Sequence, residues 1–183
     1  MFGQTETFIL GVSLTSGIAC FTDLFRGKIF NWLTLPALAC GIVFSIYFSG
    51  MHGLQSSLMG AAAGLLFFGW MFFVGIMGGG DVKLLVALGA WGGAGFAEEV
   101  ALLSVLVGGI FAICSMIFRG KLVVFLKKIY FFFLTLFVKE LEVALPKVDE
   151  NSKIPFGVPM ALAAVWTILA HPVAGLGVPI WPS

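Results

Sequence analysis

The feature that most constrains this sequence is the stretch from Ile29 to Gly80, which contains no aspartate, glutamate, lysine or arginine. A membrane-crossing helix needs about 20 residues, so this stretch is too long for one crossing. Only 10% of the 183 residues are charged and the mean hydropathy is +1.10, whereas about a quarter of a soluble domain is charged. These values exclude a soluble globular protein, and a net charge of +1 excludes a basic nucleic-acid-binding protein. The sequence therefore predicts an all-α, polytopic membrane protein.

Charges and flexible residues divide the chain into six predicted transmembrane helices. The fourth would be about 21 Å long, shorter than a hydrocarbon core of about 30 Å, so we expect its neighbours to shield it. If all six cross, all ten basic residues lie on one side, which the positive-inside bias identifies as the cytoplasm. We expect one domain, residues 1–183, in the inner (cytoplasmic) membrane, with both termini outside. The predicted helices are Phe8–Phe21 (extended to Phe25), Trp32–Phe48, Leu54–Met77, Leu84–Ala97, Val100–Phe118 and Phe156–Ala170.

A seventh apolar segment, within residues 121–138, has a different pattern. Between Leu122 and Phe137, apolar residues recur at the i, i+3, i+4, i+7 spacing of one helix face, and lysines flank or interrupt the run. This pattern predicts an amphipathic helix on the cytoplasmic leaflet. The alternative is a seventh crossing, which would bury Lys127 and Lys128 and turn the C-terminus inward.

Two aspartates, Asp23 and Asp81, each lie at the edge of an apolar segment. Two predicted crossings separate them, so we expect both at the cytoplasmic face. A carboxylate at this depth is costly and usually lies in a polar cavity or is paired. One interpretation is structural: Asp23 pairs with Arg26 or Lys28, and Asp81 caps the fourth helix. The other interpretation is that the two carboxylates act together.

The residues around Asp81 favour the second interpretation. Gly78–Gly80 precede it, and consecutive glycines let another backbone, such as an extended peptide, approach closely. We expect Asp81 to be the N-cap of a helix beginning at Val82, where the helix dipole favours a carboxylate. A second carboxylate opposes double ionisation, so the pair would share one proton. Aspartyl hydrolysis needs this arrangement: one carboxylate takes a proton from water while the other, protonated, polarises the scissile carbonyl.

At these residues the sequence resembles the type IV prepilin peptidases, a family of membrane aspartyl proteases with a GxGD motif. Gly78–Asp81 fits that motif, and Asp81–Leu84 fits its usual continuation. Asp23–Thr34 fits the family's first-aspartate motif, except that Phe30 stands at the usual proline position. Ile154–Pro159 resembles the Pro-Phe-Gly-Pro signature that opens the family's last helix. The three signatures occur in order along most of the chain.

The resemblance implies an endopeptidase that removes the basic leader from prepilin-like precursors at the cytoplasmic membrane surface. Its partners would be the prepilin substrate and the lipid bilayer, with no nucleic acid, metal or cofactor, and nothing in the sequence specifies an oligomeric state. The short connection from Phe25 to Trp32 lacks the paired-cysteine insertion of longer members, which argues against N-methylation and resembles the Flp-type enzymes. The resemblance implies Asp23 and Asp81 as the catalytic pair. The implied substrate-binding residues are Gly78, Gly80, Lys83 and Asn31.

Other classes of membrane protein fit the sequence less well. A proton-coupled transporter or channel would use Asp23 and Asp81 as proton sites, but polar residues deeper in several helices would be expected. The two histidines, His52 and His171, are both predicted outside and no HExxH motif occurs, which disfavours a zinc or serine protease. A third alternative is a protein with a purely structural role in an assembly, which would not explain the two aspartate motifs.

Overall fold

The apolar segments form helices whose ends are set by glycines and short polar contacts. The structure, a computed structural model, describes residues 3–118, 120 and 156–170, and within them all regular secondary structure is helical. The all-α prediction is therefore confirmed for these residues. The predicted amphipathic helix within 121–138 lies outside the described residues. The helices are α1 (Gln4–Arg26), α2 (Asn31–Phe73), α3 (Gly79–Phe118) and α4 (Gly157–Ala170).

Three of these helices are long and apolar enough to cross a membrane: Gln4–Arg26, Asn31–Phe73 and Gly79–Ser115. The fourth, Gly157–Ala170, is apolar but shorter. The predicted count of six spans is not confirmed, because the described residues form four helices. They divide between two compact units, with the boundary in α3 after Gly108, and the candidate site lies in the first unit.

Helix α1 ends where a glycine adopts a conformation that other residues avoid. Gly27 has φ 59° in the left-handed region, and its N–H donates to the carbonyl oxygen of Asp23 over 2.8 Å. This is the usual glycine termination of a helix. At the other end, the N–H of Gly3 donates to the carboxylate of Glu6 over 3.2 Å. The termination at Gly27 leaves Asp23 in the last turn of α1.

Helix α2 folds back on itself at Gly50, which has φ 57° and ψ −134°. A Cβ built on Gly53 would lie 1.8 Å from the carbonyl oxygen of Ser45, although residues with this spacing in a straight helix are about 12 Å apart. Only a reversal of the chain brings these atoms together. The predicted break between the second and third spans therefore coincides with a turn between residues 31–49 and 51–73.

Helix α3 folds back in the same way at Gly93, which has φ 77° and ψ −176°. A Cβ built on Gly89 would lie 3.1 Å from the Cβ of Ala97. The predicted boundary at Glu98 and Glu99 was wrong, because both residues continue the helix and the chain turns at the earlier glycine. A glycine takes the positive φ of a tight turn without the steric cost that a glutamate would meet.

Residues 84–92 of α3 are buried or half-buried, as expected for a segment too short to face lipid alone. Leu84, Leu85 and Leu88 are fully buried. A Cβ built on Gly60 of α2 would lie 2.0 Å from the carbonyl oxygen of Gly89, so the two backbones approach as closely as glycine allows. Small residues at such a contact are typical of helix pairs in membranes.

Side chains of α2 and α3 bond to the backbone of the other helix beside the turn at Gly93. The hydroxyl of Ser57 donates to the carbonyl oxygen of Ala90 over 2.8 Å, and that of Ser45 does so over 3.4 Å. The indole N–H of Trp91 donates to the carbonyl oxygen of Ala37 over 2.8 Å. These bonds join α2 to the residues of α3 that directly precede the turn.

Helix α4 packs against α1, and its start is held by one aromatic side chain. The ring of Phe156 meets the ring of Phe68 edge to face at 5.8 Å. The same ring occupies the space that a Cβ on Gly108 would need, with 2.4 Å to the nearest ring atom. The carbonyl oxygen of Phe156 accepts the first helical bond of α4, from the N–H of Met160. Phe156 therefore fixes where α4 begins.

Candidate active site

Asp23 lies in the last turn of α1, with its side chain only 6% exposed. One carboxylate oxygen, Oδ2, accepts a hydrogen bond of 2.6 Å from the backbone N–H of Gly157, the first residue of α4. The observed partner is therefore a backbone donor from a distant helix. Nearby, the guanidinium of Arg26 lies over the ring of Phe30 at 5.5 Å.

Asp81 lies in the first turn of α3 and is partly buried. Its predicted role as the N-cap of a helix starting at Val82 was wrong, because α3 already begins at Gly79. Asp81 is the third helical residue, and its carboxylate accepts a hydrogen bond from the backbone N–H of Gly78. This is the position from which an acidic side chain reaches back to the start of a helix.

The two carboxyl groups lie close enough to interact electrostatically. Asp23 comes from the C-terminal end of α1 and Asp81 from the N-terminal end of α3, so the chain brings together two residues that are far apart in sequence. Each carboxylate also accepts one backbone N–H, which leaves oxygen atoms of the pair available to a water molecule or a substrate.

Lys83 and Asn31, both predicted to bind substrate, are joined to each other. The ammonium group of Lys83 donates to Oδ1 of Asn31 over 2.9 Å, and both residues are exposed. Asn31 begins α2 and Lys83 lies two residues after Asp81, so this bond ties the starts of α2 and α3 beside the aspartate pair.

The two glycines predicted to bind substrate have different surroundings. A Cβ on Gly80 would lie 3.1 Å from the Cβ of Ile29, so the chain itself packs closely there. Gly78 is exposed, and a Cβ built on it would lie 3.1 Å from Oδ2 of Asp81. Of the two, Gly78 is the one that leaves open space beside the carboxylate.

Gly157 is a residue of this site that the sequence does not identify as a candidate. Its segment, Ile154–Pro159, carries the third resemblance, which implies no chemical role for it. The available signal was a glycine between two prolines at the start of an apolar segment. The contact with Asp23 depends on how α1 and α4 pack, which a single sequence does not specify.

Comparisons with known proteins bear on the region that contains both aspartates. The model of the type IV leader peptidase family matches residues 10–113, more than half of the chain. No solved structure matches significantly.

Curated relatives cover the same region. The prepilin leader peptidase/N-methyltransferase of Aeromonas salmonicida (strain A449) is 40% identical over 108 residues, which are 55% of this chain and 36% of that protein. The protein of the same name from Burkholderia pseudomallei (strain K96243) is 30% identical over 131 residues, or 67% of this chain and 42% of that protein. The chain thus matches less than half the length of these relatives. The match of the family model, which takes in both aspartate motifs, establishes that the chain belongs to the type IV leader peptidase family.

Proposed function

We propose that the chain is an aspartic endopeptidase that removes the basic leader of type IV prepilin-like precursors of the Flp class. The short connection between α1 and α2 supports that class. The observation that carries the proposal is the meeting of the Asp23 and Asp81 carboxyl groups, each with one backbone donor. The relatives that match this region are named prepilin leader peptidases, which supports the substrate class.

The proposed reaction uses the carboxyl pair with one shared proton. The ionised carboxylate takes a proton from a water molecule held between the two groups, and the water oxygen attacks the scissile carbonyl carbon. The protonated carboxyl group donates to the carbonyl oxygen as it gains negative charge. The tetrahedral intermediate then collapses, the C–N bond breaks, and a proton passes to the leaving amine. No group other than the two side chains and water takes part in these steps.

The experiment that tests this function is cleavage of a candidate prepilin by the purified protein in detergent, with the product masses measured. Cleavage directly after the basic leader is the expected result. The same masses show whether the new N-terminus is methylated, and we expect an unmethylated product. An intact precursor after incubation with folded protein, across a panel of Flp-type precursors, would contradict the proposal.

We also propose that Asn31, Lys83, Gly78 and Gly80 line the path of the leader. The exposed Lys83–Asn31 pair lies beside Asp81 and offers donors to backbone carbonyls of a bound peptide. Replacement of Lys83 by methionine is then expected to raise KM by about tenfold, the loss of one charge-assisted hydrogen bond. The measurement is steady-state cleavage of a leader peptide. The control is Lys28→Met, because Lys28 is also an exposed lysine but is not part of the Lys83–Asn31 pair. An unchanged KM would remove Lys83 from the binding surface.

The apolar helices and the family together indicate an integral membrane protein. We propose six crossings of the inner membrane, with the aspartate pair at the cytoplasmic face. Two features support this topology. The turns at Gly50 and Gly93 each reverse a helix that is too long for one crossing. Arg26, Lys28 and Lys83 all lie at the end of the helices that carries the aspartates, as the positive-inside bias requires.

Single cysteines in a background free of native cysteine test this topology. Exposed positions are suitable: Lys28 and Ile76 on the predicted inner side, and Met51 and Gly95 on the predicted outer side. In intact cells, a membrane-impermeant thiol reagent is expected to label the cysteines at 51 and 95 and to spare those at 28 and 76. Permeabilised cells provide the control, in which all four should react. Labelling of 28 together with 51 in intact cells would contradict the crossing of residues 31–49.

A further inference from the structure

We propose that Gly157 is a positioning residue that sets the place of the Asp23 carboxylate through its backbone N–H and its lack of a side chain. This inference rests on the proposed peptidase function. It concerns α4, which lies outside residues 10–113, the region that the family model matches.

The first support is the hydrogen bond itself. The N–H of Gly157 donates to Oδ2 of Asp23 over 2.6 Å, and both residues are buried. The first N–H groups of a helix have no partner within it, so they are free to bind an acceptor from elsewhere. In α4 the third position is Pro159, which has no N–H, and Met160 already donates to Phe156. Gly157 therefore presents one of the few free donors of this turn to the carboxylate.

The second support is steric. A Cβ built on Gly157 would lie 2.8 Å from Oδ2, 2.9 Å from Cβ and 3.2 Å from Cγ of Asp23. The first two distances are shorter than real Cβ contacts allow, so any larger residue at 157 must displace the aspartate or the start of α4. The requirement for glycine comes from Asp23, because position 157 is ordinary α-helix, where alanine is favoured over glycine.

The third support is the anchoring of the donor. Phe156 is wedged between the ring of Phe68 and the surface of Gly108, which resists movement of the helix start. Two of the three atoms that crowd position 157 belong to the carboxyl group of Asp23, which can rotate about its side-chain bonds. A methyl group at 157 is therefore expected to push the carboxylate away from its place beside Asp81 while α4 stays where it is.

The variant that tests this is Gly157→Ala, assayed by steady-state cleavage of a leader peptide. Displacement of a catalytic group by about 1 Å costs about 100-fold, so kcat is expected to fall by about 10- to 100-fold while KM stays within about twofold. The pH dependence of kcat is also expected to shift, because the displaced Asp23 carboxylate loses the N–H donor of Gly157 that favours its ionised form. Asp81 is the charged group that faces Asp23 from α3, and α4 has no titratable side chain between Gly157 and Ala170. A partly misfolded preparation would lower kcat without moving its pH profile.

Gly17→Ala is the matched control, because a Cβ at Gly17, in the same helix as Asp23, meets nothing within 4 Å. It should keep wild-type kcat and wild-type pH dependence. Wild-type kinetics in Gly157→Ala would overturn the inference and leave the peptidase function standing. A wild-type protein that cleaves no precursor would overturn the proposed function, and this inference with it.

A stability measurement keeps the inference testable if Gly157→Ala folds poorly. Thermal unfolding in detergent is compared for Gly157→Ala in the wild-type background and in an Asp23→Ala background, which lacks the carboxyl group. The fall in Tm caused by Gly157→Ala is expected to be smaller by several degrees in the second background. Equal falls in both backgrounds would show that Asp23 and Gly157 are not coupled, and would overturn the inference.

Discussion

Replacement of Asp81 by asparagine is expected to reduce leader cleavage by about 10²- to 10⁴-fold, the usual contribution of a general acid or base. Asparagine has the shape of aspartate but cannot accept the proton of water or hold the shared proton. Asp23→Asn should have the same effect. Because asparagine oxygen still accepts the N–H of Gly157, the fold should be kept in that variant. The measurement is the initial rate of cleavage at equal amounts of folded protein.

The control for both variants is Glu98→Gln, which changes an exposed carboxylate elsewhere in α3 and should cleave at the wild-type rate. The double variant Asp23→Asn/Asp81→Asn is expected to be no slower than either single variant, because groups that act as a unit give strongly non-additive losses. Substantial activity in either single variant would remove that residue from the mechanism.

Replacement of Gly60 by alanine is expected to lower the free energy of unfolding by about 1–3 kcal/mol or more, as overpacking of a close contact does. The added methyl group would lie 2.0 Å from the carbonyl oxygen of Gly89 and 2.6 Å from the carbonyl carbon of Gly93. Both are backbone atoms, and they flank the turn in α3, so neither can move without disturbing that turn. The measurement is thermal or denaturant unfolding in a fixed detergent.

Gly17→Ala again provides the comparison, since it adds the same methyl group to a helix where nothing lies within 4 Å. It should be neutral or slightly stabilising, because alanine is the better helix former by about 1 kcal/mol. If Gly60→Ala unfolds at the same temperature as Gly17→Ala, residues 51–73 and 79–92 do not approach as closely as the structure has them.

The helical class and the turn at Gly50 could be predicted from the sequence, because the absence of charge and the cluster of flexible residues at Ser49–Gly53 are local signals. The turn at Gly93 could not be placed correctly. Glu98 and Glu99 are the charged residues nearest to this turn in the sequence, so the boundary between the fourth and fifth helices was predicted there. The conformation of a tight turn, however, depends on glycine rather than on charge. Four glycines lie between Gly89 and Gly95, and only contacts with α2 select one of them as the turn.

The order of apolar segments, which a sequence displays directly, predicts that Asp23 and Asp81 lie at the same end of the helices, and the resemblance implies that they form a pair. Their hydrogen-bond partners could not be predicted. The Lys83–Asn31 bond and the contact of Gly157 with Asp23 depend on the distances between packed helices. The prediction that Asp81 is the N-cap of a helix beginning at Val82 failed for a similar reason. Helix α3 begins earlier, at Gly79, and the carboxylate of Asp81 accepts a hydrogen bond from the backbone N–H of Gly78.

The hydrogen bond between Asp23 and Gly157 has a consequence for the time at which the proposed active site is complete. It joins residues 134 positions apart, one in the first helix and the other in the last that the structure describes. During synthesis, both aspartates leave the ribosome long before Gly157 does. A nascent chain therefore carries Asp23 and Asp81 while Asp23 still lacks the backbone donor of Gly157. The full set of contacts at the two carboxyl groups forms only after α4 has been made and has packed against α1.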